Sequence, residues 1–179
     1  HTLARIAKEH SLPVHMDGAR FANALARMNC SPADMSWKAG IDVLSFGMTK
    51  NGALAAEAVI FFNPEQAEDF DYRRKRSGHL LSKHRLLVAQ TEAMLENNLW
   101  LKNAKHANEM ADYLVEKAKL KLAYPVQANE VFFHMPDVLV KKLRARGYEF
   151  YQWGNADVHR FVCSFGTTKE QIDALVKDF

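Results

Sequence analysis

The stretch Ile41-Asp42-Val43-Leu44-Ser45-Phe46-Gly47-Met48-Thr49-Lys50-Asn51-Gly52 constrains this chain most. Ile41 to Phe46 is a short β-rich run of the kind that sits inside a sheet. It stops at Gly47, and Asn51-Gly52 is a turn pair, so Lys50 falls on a tight loop at a strand's exit. Open α/β sheets place their ligands at the carboxyl ends of strands. A lysine held there beside apolar residues loses its proton readily and acts as an amine nucleophile. A lone lysine in such a loop is more often simply solvated, but Lys50 is not alone.

Thirty-three residues before it (50 − 17) stands Asp17, within Val14-His15-Met16-Asp17-Gly18-Ala19-Arg20. Leu12-Pro13-Val14 reads as a short strand, Asp17-Gly18 as its end, and Ala19 to Met28 as a helix. One βαβ-sized unit therefore carries Asp17 at the exit of its first strand and Lys50 at the exit of its second. Parallel neighbours bring both exits to one sheet edge. An acid and a lysine on one edge meet the needs of pyridoxal phosphate. The lysine forms the Schiff base, and the carboxylate keeps the pyridine nitrogen protonated, which makes the ring an electron sink.

His15-Met16-Asp17-Gly18-Ala19-Arg20 together with Ser45-Phe46-Gly47-Met48-Thr49-Lys50-Asn51-Gly52 resembles the low-specificity L-threonine aldolases, of the β-eliminating lyase/threonine aldolase family. The resemblance runs along essentially the whole chain. It implies an α/β fold: part of an aspartate-aminotransferase-like large domain (pyridoxal-phosphate fold type I) plus a small α+β domain. It implies aldol cleavage of L-threonine, L-allo-threonine and related β-hydroxy-α-amino acids to glycine and an aldehyde, in a dimer or tetramer of identical chains. Lys50 then carries the cofactor, Asp17, Arg20 and Thr49 bind it, and Arg160 holds the substrate carboxylate. Two alternatives stand beside this reading. One is another fold-type-I enzyme, a β-eliminating lyase or an aminotransferase. The other is a non-catalytic fragment or interaction module without a complete cofactor site.

The chain begins at His1, and Leu3, Ile6 and Ala7 read as the tail of an amphipathic helix. No glycine- or serine-rich phosphate loop precedes the Asp17 strand. In the family the preceding half supplies that loop and the histidine that stacks on the cofactor, so the chain reads as the C-terminal part of a longer enzyme. Its 179 residues divide by pattern into 1–95, part of the large domain with a long connecting helix, and 96–179, the small domain.

Within the second segment, Ala104, Ala107, Ala111, Leu114 and Ala118 form one narrow apolar helical stripe. Residues 131–135 alternate as a strand, and 137–146 read as a helix ended by Gly147. Tyr148–Gln152 and His159–Phe165 read as further strands. Thr168 with Gln171 makes a capping box for a last helix. In the first segment Ser31-Pro32 starts a short helix to Lys38, and Ala56–Phe62 returns antiparallel to the Lys50 strand. Residues 65–71 read as helical, and Ser82 as the cap of a helix running to Glu96.

Arg160 sits mid-strand among apolar residues, where an unpaired charge is costly. A structural pair with an acid and a bidentate grip on a substrate carboxylate both satisfy it. The match of His159-Arg160-Phe161-Val162 to the family favours the second. Arg20 is either a solvated helix residue or, as the resemblance implies, directed at cofactor or substrate. His15 reads as a core or supporting histidine, and Asp34 and Asp42 as ordinary surface acids. The run Arg73-Arg74-Lys75-Arg76-Ser77-Gly78-His79 reads as a solvated helix end. The resemblance offers a second reading, a subunit contact close to the cofactor phosphate.

A net charge of +3 and the shortness of that run argue against a nucleic-acid partner. No apolar run reaches membrane length. The histidines lack zinc spacing, so no metal is expected. Cys30 and Cys163 have no motif spacing, which fits a reduced, cytoplasmic setting and gives no support to thiol catalysis.

Overall fold

The computed structural model describes residues 1–179, which divide into two compact units, His1–Leu101 and Lys102–Phe179. Unit 1 opens with α1 (Thr2–Glu9) and continues through β1 (His15–Gly18), α2 (Phe21–Met28), the single turn α3 (Pro32–Met35) and β2 (Val43–Gly47). β3 (Glu57–Phe61), α4 (Phe70–Arg76) and α5 (Arg85–Leu95) complete it, together with the first residues of α6 (Leu99–Ala118). Its sheet has the order β1-β2-β3, with β1 parallel and β3 antiparallel to β2. One face is apolar: Leu44 and Phe46 are buried with Phe21 and Leu25 of α2, and the rings of Phe21 and Trp100 meet Phe46 edge-on.

Several expected boundaries move, each for a local reason. Leu12–Val14 lies outside β1. Pro13 has no N–H to give a ladder, and Val14 N donates instead to the Asp42 carboxylate at 2.7 Å. Asp42 is thus a strand-to-strand tie, and Asp34 closes a capping box with Ser31, so neither is an idle surface acid. The Ser31 hydroxyl above all, with Lys38 behind it, holds the Asp34 carboxyl below its ordinary pKa. The helix begun at Pro32 breaks at Ser36, whose hydroxyl donates to the Pro32 carbonyl at 2.6 Å, and a 3-10 turn (Trp37–Ala39) follows. Ser82 does not cap α5: Lys83 adopts φ 58, and the helix starts from His84 with no side-chain cap.

Unit 2 runs from α6 through β4 (Glu130–His134), α7 (Asp137–Ala145), β5 (Tyr151–Gln152), β6 (Val158–Val162) and α8 (Lys169–Val176). Its antiparallel sheet has the order β4-β6-β5. The small-residue stripe of α6, from Ala104 to Ala118, is buried. Met110, Ala111, Leu114, Ala118, Val131, Phe133, Leu143, Phe150, Phe161 and Ile172 belong to one apolar cluster. β5 is shorter than the Tyr148–Gln152 run, because Tyr148 N closes the end of α7 on the Leu143 carbonyl and Phe150 turns inward to stack on Phe161. β6 likewise ends at Val162, short of Phe165. Thr168 and Gln171 form the expected capping box of α8. No helix of the chain is long and apolar enough to cross a membrane.

Candidate functional site

The parallel register sets Asp17 opposite Ser45, so β1 and β2 end at the same edge of the sheet. Asp17 is the penultimate residue of β1, its side chain is exposed, and one carboxylate oxygen accepts from Ala19 N at 3.0 Å. Beyond β2 the chain makes a 3-10 turn, Thr49–Asn51, closed by Gly52 at φ 126. The turn is pinned on both sides of the lysine. Met48 is fully buried, and Asn51, also buried, donates its side-chain amide to the Trp100 carbonyl at 2.7 Å. Thr49 N donates to Glu57 Oε1 at 3.3 Å, and Thr49 Oγ1 donates to the Ala56 carbonyl at 3.3 Å. Leu54 N and Ala55 N both donate to Gln90 Oε1. Lys50 is left exposed at the apex rather than lodged among apolar side chains.

Gly47 explains how the two loops come so close. A Cβ there would lie 2.7 Å from Ala19 Cα and 3.0 Å from the Ala19 carbonyl oxygen. Gly18 is equally confined, since its Cβ would meet Ser45 O at 2.6 Å. Only residues without a side chain allow the Asp17–Ala19 turn to rest against the segment leading to Lys50. An exposed carboxylate and an exposed amine thus share one edge, and this donor set fits the ring nitrogen and the aldehyde of pyridoxal phosphate. Arg20 follows as the half-buried residue that precedes the first turn of α2.

His15 lies on the Asp17 face of β1, two residues away, and its Nε2 hydrogen-bonds Ser45 Oγ at 2.8 Å. It is exposed, which excludes the core reading and leaves a supporting place beside Asp17. Arg73 to Arg76 form the last turn of α4, in which Arg73, Lys75 and Arg76 are exposed and Arg74 is half-buried. Burial pushes the Cys163 thiol up to about 11, which leaves it a poor nucleophile at neutral pH.

In unit 2, Arg160 occupies the centre of β6, opposite Phe132 of β4 and Tyr151 of β5. Its Nη1 lies 3.2 Å from Glu130 Oε1. The rings of Trp153 and Tyr151 pack on the guanidinium, with centroids at 5.0 and 5.4 Å. The acid partner is therefore present, and it comes from an element 30 residues away in sequence (160 − 130). Asn51, Gln90, Glu57 and Glu130 are the supporting residues that the sequence did not single out. Only Asn51 carried a local signal, and that signal was for a turn rather than an anchor.

An α/β chain whose parallel strands bring an aspartate and a lysine to one edge has the architecture of the fold-type-I pyridoxal-phosphate enzymes. It belongs to the β-eliminating lyase family, whose model matches residues 1–138. Members of this family depend in general on pyridoxal phosphate. The chain is 46% identical over 180 aligned residues to a low-specificity L-threonine aldolase of Pseudomonas aeruginosa, and 44% identical to one from another Pseudomonas strain. Each alignment takes in 98% of this chain and 52% of the relative, so the chain spans about half the length of the curated relatives it matches. Among solved structures, a threonine aldolase of Leishmania major superposes with a TM-score of 0.85 at 27% identity, over 98% of this chain and 53% of that one. A lysine aminotransferase of M. tuberculosis shares the fold alone, with a TM-score of 0.61 at 17% identity over 98% of this chain and 42% of that one.

Proposed function

We propose that the protein carrying this chain is a pyridoxal-phosphate-dependent aldolase that cleaves L-threonine and related β-hydroxy-α-amino acids to glycine and an aldehyde. The observation that carries the reading is the shared edge of β1 and β2, where Asp17 and Lys50 stand on loops that touch through Gly47. The names of the relatives supply the reaction, and the edge supplies the chemistry.

Bound pyridoxal phosphate would offer an electrophilic carbonyl to the substrate amine and a ring able to take up the electrons of the broken Cα–Cβ bond. Lys50 supplies the amine that holds the cofactor before substrate arrives. Asp17 keeps a proton on the ring nitrogen, and the Ala19 N–H fixes the orientation of its carboxylate. Thr49 and Arg20 flank these groups and complete this chain's share of the cofactor contacts. Arg160 takes the substrate carboxylate and so orients the bond to be cleaved. We extend the proposal to the organisation of the protein: residues 1–95, as read from the sequence, belong to the cofactor domain, the small domain read as 96–179 starts at Lys102 because 96–101 pack with unit 1, and the assembly is a homo-oligomer in the cytoplasm. The basic last turn of α4 is its candidate subunit contact.

Borohydride reduction of one portion of the cofactor-loaded protein, followed by peptide mapping, and assay of an unreduced portion with threonine test the reading. Label on Lys50, with threonine converted to glycine and acetaldehyde, is the expected result. Label on Lys38 or Lys75 would remove Lys50 from its role. Ammonia and a keto acid in place of glycine would move the protein to β-elimination.

A further inference from the structure

Arg160 is not waiting empty for a ligand. Glu130 pairs with Val162 across the β4–β6 ladder and Phe132 pairs with Arg160, so Glu130 and Arg160 are diagonal neighbours on one sheet face. Both side chains are about three-quarters buried, at 22% and 24% exposure. Arg160 Nε is buried and has no acceptor, and two aromatic rings lie against the guanidinium. The side edge of the fork is therefore closed, and the Nη end is what an incoming anion meets. Glu130 already holds Nη1 at that end.

We propose that Glu130 is an internal carboxylate that competes with the substrate's carboxylate for Arg160 and so sets the affinity of the site for amino acids. The inference rests on the reading of Arg160 as the carboxylate grip. Without substrate, Glu130 keeps a largely buried guanidinium from standing unpaired, which would be costly. It also holds the arginine in a single direction across the sheet. When an amino acid arrives, two carboxylates face one guanidinium, and like charges at close range repel. Binding therefore requires Glu130 to give up part of its contact, and the affinity is lowered by the worth of that contact. Tyr151 and Trp153 remain against the guanidinium, so only the end that is ion-paired with Glu130 is exchanged.

Glycine, the proposed product, is the simplest probe. Its dissociation constant is measured by calorimetry on the cofactor-loaded protein, for the wild type, Glu130→Gln, Glu130→Asp and Arg160→Lys. Glu130→Gln keeps the size of the side chain and an acceptor oxygen but removes the competing charge. It should tighten glycine about fivefold, the ratio a partly exposed ion pair commands. Glu130→Asp, which keeps the charge, should return affinity toward the wild-type value. Arg160→Lys should weaken glycine, because a point charge replaces a planar fork. Should Glu130→Gln fold poorly, Glu130→Met fills the same volume without charge and carries the same expectation. If Arg160→Lys weakens glycine while neither neutral variant at 130 tightens it, Glu130 is a structural partner only, and the inference falls with the grip intact. If Arg160→Lys leaves glycine binding unchanged, the grip itself is wrong and the inference falls with it. The visible band of the lysine-bound cofactor, read in the same samples, should be unaltered in all four proteins.

Discussion

The two units hold their candidate site residues by different means. In unit 1, Asp17 and Lys50 are exposed, and the main chain aims them. Two glycines let the loops touch, Met48 and Asn51 anchor the turn from inside, and Glu57 and Gln90 bind its amides. In unit 2, Arg160 is mostly covered, and other side chains aim it: Glu130 at its end, the rings of Tyr151 and Trp153 against its guanidinium, and a dense aromatic cluster beneath the sheet. The difference suits the roles proposed. A group that exchanges one covalent partner for another needs open space and a rigid turn. A group that grips an anion repeatedly needs its direction fixed and its charge satisfied between ligands.

The sharpest way to test this contrast is to hollow out the platform under Arg160. Phe133 is fully buried, and its ring meets Phe161 and Phe179 edge-on at 5.9 and 6.3 Å. Phe133→Ala removes the ring and leaves a cavity, at a cost of about 3–5 kcal/mol. Urea unfolding should show that loss as a lowered midpoint with an unchanged slope. A loss below about 1 kcal/mol would mean that the cluster collapses around the gap. The sheet would then owe its rigidity to something other than packing.

What the sequence disclosed follows the same division. The Asp17–Lys50 edge was legible because a strand, a short helical stretch and another strand leave few ways to pair. The Thr168–Gln171 box was legible because both hydrogen bonds lie within one turn. Glu130 was not legible as the partner of Arg160, because their meeting depends on the register between β4 and β6, which no local pattern encodes. Asn51 advertised a turn, and its buried contact with Trp100 spans 49 residues. The start of α5 was misread because Lys83 takes a left-handed conformation that its side chain does not announce. Hydrogen bonds closed within a few residues are written in composition and spacing. Those closed by tertiary packing are not.

A smaller effect probes the unit 1 side. Asn51→Ala deletes the amide donated to the Trp100 carbonyl, which is left without that partner. The loss is about 1–3 kcal/mol for a buried acceptor deprived of its donor. It should be concentrated in the turn, where Asn51 N and Ala53 N both donate to the Met48 carbonyl. Hydrogen exchange at those two amides should quicken, and the visible band of the lysine-bound cofactor should weaken as Lys50 loses its fixed direction. Exchange unchanged from the wild type would show that Met48 and Glu57 suffice to hold the turn.

The smallest expected effect is a pH dependence confined to unit 2. Asp178 is buried near the end of the chain, forms an ion pair with Arg146, and accepts from the Tyr148 hydroxyl at 3.2 Å. The Arg146 guanidinium first, then the Tyr148 hydroxyl, outweigh burial and hold the Asp178 carboxyl below its ordinary pKa. A carboxyl whose pKa is lower folded than unfolded binds fewer protons in the folded state. Its stabilisation is therefore full above the unfolded value of about 3.9 and is lost as pH falls through the folded value. Asp178→Asn should lower the melting temperature at neutral pH, and its deficit relative to wild type should shrink steadily once the medium is acidified below about pH 4. Tyr148 moves the other way, raised by burial and by its bond to Asp178, and stays uncharged throughout that range. A deficit that persisted undiminished into acid would assign the role of Asp178 to packing rather than charge.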